Sequence, residues 1–167
     1  MDIVLLQHVP LLGSLPPGEL ADIAATLREQ RYPAGAVLFH EGDYGDRFYI
    51  VLSGRIEIVK ALGTADERLL GLRGAGEFVG EMSLLSQDGL RTASVRVDAD
   101  ARVLELTRAD FDALLNRYPL LAYEMLRVLS LRLRESHDTA IHDLREKNAR
   151  LAQAYAEFSR CRDRLMA

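Results

Sequence analysis

The chain has 167 residues, 49% of them hydrophobic and 28% charged, enough for one folded core plus an extension. Its net charge of −4 and pI near 5.6 lack the excess of Lys and Arg that a nucleic-acid surface needs, and no apolar run approaches the ~20 residues of a membrane span. A single cysteine, Cys161, excludes an internal disulfide and fits a reducing, cytoplasmic compartment.

The start, Met1-Asp2-Ile3-Val4-Leu5-Leu6, lacks the basic head of a signal peptide. Residues 2–8 read as a short apolar helix or turn ended by Pro10. Pro16-Pro17 opens a helix whose buried face is Leu20, Ile23, Ala24 and Leu27, at helical spacing. From Arg31 the pattern changes to strands and turns. Val37 to His40 is a short strand, and Glu41 to Asp46 is a turn with two glycines and three acids. Phe48 to Leu52 is an apolar strand, and Ser53-Gly54 predicts a tight hairpin. Ile56 and Ile58 alternate with polar residues. Gly63 to Asp66 turns the chain, Leu69, Leu70 and Leu72 return it, and Gly74-Ala75-Gly76 turns it again.

The next stretch, Gly80 to Ser94, has the layout of a site for a small organic phosphate. Gly80 lets backbone approach a ligand because it has no Cβ. Met82 to Leu85 can form one helical turn whose free N–H groups face an anion. Arg91 can meet phosphate oxygens with two parallel N–H bonds. Glu81 repels an anion but can accept a hydrogen bond from a sugar hydroxyl. Two further strands, Ser94 to Val97 and Arg102 to Leu106, are expected across a turn at Asp98-Ala99-Asp100. Short strands with a turn between each pair predict a jelly-roll β-barrel. Thr107 is the expected N-cap of the following helix, with Asp110 three residues on and Phe111, Leu114 and Leu115 on its apolar face. Pro119 starts another helix.

No helix breaker occurs from Leu120 to Leu165. Such a helix would be about 70 Å long, so its far half is expected to project from the barrel. That half has a heptad register: His137, Leu144, Leu151, Phe158 and Leu165 recur in one set, and Ile141, Asn148, Tyr155 and Arg162 in the matching set. An Asn at a buried heptad position favours a parallel, in-register pair of helices. The upstream Leu126, Leu129 and Leu133 follow a different phase, so a register shift is expected at Arg134 to Thr139. The domain reading is 1–134 for the barrel and its helices and 135–167 for a dimerising, signalling coiled coil.

Gly80-Glu81-Met82-Ser83-Leu84 followed by Arg91-Thr92-Ala93-Ser94 resembles the phosphate-binding cassette of cyclic nucleotide-binding domains, of the catabolite activator protein and kinase A regulatory subunit type. Val79 stands where that family usually has phenylalanine, with Phe78 one place earlier. The resemblance covers roughly residues 5 to 135 and implies a binding role rather than an enzymatic one. It implies that Arg91 pairs with the cyclic phosphate, that N–H groups of Met82, Ser83, Leu84 and Ala93 complete the anion site, and that Glu81 accepts from the ribose 2′-hydroxyl. Thr92 bears on base choice, and cyclic AMP is preferred over cyclic GMP. By the same resemblance Ser136 and His137 face the base from the long helix, in their own or the partner subunit.

The barrel with a trailing coiled coil also resembles the sensor end of bacterial signalling proteins, which implies an effector such as a phosphatase or a nucleotide cyclase. The histidines are not spaced as a metal-binding pair, so no metal is expected. No helix-turn-helix follows the long helix, and no DNA-binding domain is expected. The competing expectation is a degenerate domain that binds no nucleotide and serves as a dimerising scaffold.

Overall fold

The computed structural model describes residues 3–165. The chain divides into two compact units with the boundary between Tyr123 and Glu124.

The first unit opens with α1 (Ile3–Gln7) and α2 (Pro17–Thr26); Asp2, expected in the first helix, lies outside the described residues. Pro17 sits in the first turn of α2, where its missing N–H has no helical partner. Leu20 and Ile23 are buried from α2, as are Leu6, Val9, Leu11, Leu12 and Leu15 before it. Leu27 is buried too but has left the helix in an extended conformation.

Six strands form one antiparallel sheet: β1 (Arg28–Tyr32), β2 (Val37–Phe39), β3 (Arg47–Lys60), β4 (Arg68–Arg73), β5 (Phe78–Val79) and β6 (Ser94–Thr107). The order β1-β6-β3-β4 is completed by β2 on β6 and β5 on β3. The core lies between the curled faces, with Tyr49, Val51, Ile56, Val79, Val95, Val97, Ala101 and Val103 packed together. This is the expected jelly-roll architecture, with two corrections to its connections.

The hairpin expected at Ser53-Gly54 does not form. β3 runs straight through it, and Gly54 takes a φ of 85° within the strand. The turn expected at Asp98 to Asp100 is likewise part of the continuous β6. The two sites face each other: Ser53 pairs with Arg102 and Arg55 with Ala99, with the register slipping between these pairs. The glycine marks a corner at which both strands bend together. A Cβ on Gly54 would lie 2.2 Å from the Asp100 carbonyl oxygen, so the strands approach too closely there for a side chain.

β1 begins before the strand region expected from the sequence. Arg28-Glu29-Gln30-Arg31-Tyr32 has no apolar alternation. Its place is set by the ladder to β6, by an ion pair of Glu29 with Arg102 at 2.8 Å, and by the Tyr32 hydroxyl donating to Glu105 at 2.8 Å.

α3 (Glu81–Leu85) follows β5, and α4 (Arg108–Arg117) follows β6 without a break. Thr107 caps α4 as expected: its hydroxyl oxygen accepts from the Asp110 N–H at 3.2 Å. Thr107→Ala is expected to destabilise the chain by about 1 kcal/mol, a fall of about 2–4 °C in Tm on thermal unfolding.

α5 (Pro119–Leu165) is a single helix of 47 residues, with no break at Arg134 to Thr139. Along its second half Ile141, Leu144, Leu151, Tyr155 and Phe158 are exposed, Tyr155 by 80%. The side chain of Leu165, expected at the same heptad position as Leu144 and Leu151, lies outside the described residues. Among the described residues no helix is long and apolar enough to cross a membrane.

Candidate functional site

The site is built on β3. Its pairing with β5 sets Tyr49 opposite Val79 and delivers the chain to Gly80. That residue takes a φ of 89° and starts α3. Only glycine fits there. A Cβ would strain the backbone and lie 2.7 Å from Arg91 Nη1 and 2.9 Å from the Arg47 carbonyl oxygen.

α3 then alternates in its exposure. Glu81, Ser83 and Leu84 are buried, whereas Met82 and Leu85 face out. The loop back is tied locally: the Ser86 hydroxyl donates to the Asp88 carboxylate at 2.8 Å and the Leu90 N–H donates to it at 3.2 Å. These two bonds hold the Asp88 carboxyl below its ordinary range. The incoming strand is zipped to the loop before β3. Arg91 N–H donates to the Asp43 carbonyl, Gly42 N–H to the Arg91 carbonyl, and Gly45 N–H to the Gly89 carbonyl, all at 2.8–2.9 Å.

Arg91 is the centre of this arrangement, with only 5% of its surface exposed. Its Nη1 donates to the Gly80 carbonyl at 2.9 Å and to the Ser83 hydroxyl at 2.8 Å, and its Nη2 donates to the Arg47 carbonyl at 2.8 Å. All three of these acceptors are neutral. Its Nε is buried with no hydrogen-bond partner among the described residues. The guanidinium carbon lies 3.9 Å from the centre of the Phe39 ring, an attractive cation–π placement. Burial pushes the Arg91 pKa below its ordinary value, yet an arginine stays protonated. The result is a buried cation that reaches neutral groups, flanked by the first turn of a helix. Such a group is suited to capture an anion.

A second layer holds the first in place. Arg47, whose carbonyl receives Arg91, pairs through Nη1 with the buried Glu105 carboxylate at 2.8 Å, and Glu105 also accepts from Tyr32. Lys60 donates to the Thr92 carbonyl at 3.0 Å and pairs with Glu41 at 2.6 Å, while Glu41 N–H donates to the Ser94 hydroxyl. Gly45 packs so closely that a Cβ would lie 2.0 Å from Ser83 Oγ and 2.8 Å from Arg91 Cζ. Arg108, from the start of α4, reaches carbonyls on both sides of the same spot.

The structure therefore brings Gly80, Glu81, Ser83, Leu84, Arg91 and Ala93 to one place. Met82 and Thr92 sit at its exposed rim, with the Thr92 hydroxyl 3.7 Å from Met82 sulfur. Ser136 and His137 lie on α5 in the second unit, and both are exposed. Sequence reasoning did not single out Phe39, Arg47 or Arg108, and it read Gly45 only as a turn. Gly45 carried a signal in its position in a glycine-rich acidic turn; the others carried none, since their roles depend on backbone carbonyls and rings brought in from distant elements. Among the described residues no cluster of three His, Cys, Asp or Glu side chains is placed to hold a metal.

Comparison with known proteins points the same way. A family model described as "Cyclic nucleotide-binding domain" matches residues 29–118. The chain is 40% identical over 148 residues to the cyclic AMP receptor protein of Thermus thermophilus, covering 88% of this chain and 67% of that protein. Among solved structures it is similar to the catabolite activator protein of Thermus thermophilus, with a TM-score of 0.68 and 38% identity over 76% of this chain and 59% of that one. It is also similar to the regulatory domain of Toxoplasma gondii protein kinase A crystallised with cyclic AMP, with a TM-score of 0.58 and 31% identity over 66% of this chain and 42% of that one. The chain thus spans about two thirds of the length of the first of these relatives and less of the other two.

Proposed function

Because this chain belongs to the cyclic nucleotide-binding domain family, we propose that it is a sensor that captures cyclic AMP on Arg91 and passes the change along α5 to an effector. The observation that carries the proposal is the state of Arg91: buried, charged, in contact with neutral acceptors, and with Nε unpaired. A cyclic phosphate would replace neutral acceptors by a charged one. Hydrogen bonds to charged groups contribute about 1.5–3 kcal/mol each, against about 0.5–1.5 for neutral pairs.

In this reading the N–H groups of Met82, Ser83, Leu84 and Ala93 complete the phosphate site, Glu81 accepts from the ribose 2′-hydroxyl, and Thr92 stands beside the base. Ser136 and His137 approach the base from α5 of the same or the partner subunit. Cyclic AMP is preferred over cyclic GMP on the strength of the relatives named for it. Phosphate capture draws α3 inward and shifts α4 against the barrel. The ligand moves that equilibrium only by its differential affinity for the two arrangements. No catalytic step and no metal is involved.

Residues 1–134 form the sensor and 135–167 the output helix. The exposed stripe of Ile141, Leu144, Leu151 and Phe158, with Asn148 in the matching set, supports a parallel homodimer. Leu151→Asp is expected to convert a dimer to a monomer in sedimentation velocity while leaving barrel folding unchanged. The effector, a phosphatase or cyclase being the leading kinds, would be coupled through this helix.

Thermal unfolding with added nucleotide tests the binding reading. At a ligand concentration 100 times Kd the folded state gains about 2.7 kcal/mol, which raises Tm by about 5–10 °C for a chain of this size. Cyclic AMP should give the larger shift, cyclic GMP the smaller, and adenosine, which lacks phosphate, none. Equal shifts with adenosine and cyclic AMP would overturn a phosphate-centred site.

A further inference from the structure

Arg108 is the first residue of α4, yet its side chain serves α3. Its Nη1 donates to the Leu84 carbonyl at 3.1 Å, and its Nη2 donates to the carbonyls of Ser83 and Gly45, both at 2.9 Å. The Arg108 main-chain N–H donates to the Asp46 carbonyl at 2.8 Å. The last carbonyls of a helix have no partner within it, and a cation near them is favourable. α3 is only five residues long, and the Met82 carbonyl is already taken by the Ser86 N–H. The next two carbonyls are closed by Arg108. One planar guanidinium therefore joins the end of the cassette helix, the Gly45 loop that packs on Ser83 and Arg91, and the first residue of α4.

We propose that Arg108 is a positioning residue that makes α3 and α4 move as one body, so that displacement of α3 on phosphate capture is delivered directly to α4. This rests on the binding reading for its ligand, while the cap itself stands on the geometry. A rigid fork suits the role. Three carbonyls from two segments converge on it, and the buried, unpaired Nε leaves the side chain little freedom to follow one segment without the other. Arg108 touches no proposed ligand atom; it acts through α3.

Hydrogen exchange on the full chain, with and without saturating cyclic AMP, tests this. In the ligand-free chain Arg108→Met should speed exchange of the Ser86 N–H, at the end of α3, by about tenfold, with Val103 in the core unchanged. With cyclic AMP bound, the native chain should show slowed exchange in α3 and α4 alike, and the Met variant in α3 alone. Arg108→Lys keeps the charge without the fork and should fall between them. Native exchange at Ser86 in the ligand-free Met variant would overturn the proposal, and so would full protection of α4 in the liganded one. If cyclic AMP slows nothing in the native chain, the binding reading fails, and the ligand-free comparison alone decides the role of Arg108. If the Met variant does not fold, the Lys variant carries both comparisons.

Discussion

Arg91→Lys is expected to weaken cyclic AMP binding by roughly 100-fold, the loss of one to two hydrogen bonds to a charged group. The substitution keeps the positive charge and most of the stem, so charge alone is held nearly constant. What it removes is the planar fork. Arg91 reaches three acceptors in the ligand-free chain through Nη1 and Nη2 while stacking on Phe39. A lysine ammonium is a point donor and cannot reproduce two parallel bonds to a phosphate. Tm of the ligand-free protein should change far less than affinity, because the Arg91 contacts that are lost go to neutral groups and burial of the cation is itself unfavourable. Binding by the Lys variant within threefold of native, measured by displacement of a fluorescent cyclic nucleotide, would show that the phosphate lies elsewhere.

Gly45→Ala should damage both stability and binding although it changes one hydrogen atom for a methyl group outside the cassette. The new Cβ would lie 2.0 Å from Ser83 Oγ, 2.6 Å from Ser83 Cβ and 2.8 Å from Arg91 Cζ. The backbone cannot easily retreat, because Gly45 N–H is held by the Gly89 carbonyl and the Gly45 carbonyl by Arg108. Ser83 is itself buried, so the clash must be relieved by moving α3 or by swinging Arg91 out of its place. Overpacking of this kind costs about 1–3 kcal/mol, and cyclic AMP affinity should fall at least about tenfold because Arg91 is the group displaced. Calorimetric unfolding and nucleotide titration of the same sample separate the two effects. A variant with native affinity and a lowered Tm would mean that Arg91 does not move with Ser83.

Much of this was legible in the sequence where a residue type has one local use. Pro16-Pro17 and Pro119 marked helix starts, Thr107 with Asp110 marked a cap, and Gly80 before an acid marked the start of the cassette turn. The sequence misled where the same residue type has two uses. Gly54 suits a hairpin or a sharp bend inside a strand, and only the pairing of β3 with β6 chooses the bend. The acids at Asp98 and Asp100 resemble a turn but lie at the facing corner, where Asp98 pairs with Arg55 and Asp100 accepts from the Ala34 N–H. β1 was illegible because its polar residues are placed by cross-strand partners rather than by an apolar face. At the site, the chemistry-bearing arginine was visible, but what holds it was not. The carbonyl of Arg47, the ring of Phe39 and the fork of Arg108 become neighbours only through the fold.

The measurement that bears most directly on the account is a calorimetric titration of the ligand-stripped, folded native chain with cyclic AMP. One saturable site per chain, with affinity in the micromolar range or tighter and lost in Arg91→Ala, is the result the account predicts. A folded chain that gives neither heat nor a change in Tm with cyclic AMP or cyclic GMP would contradict it and leave a dimerising scaffold in its place.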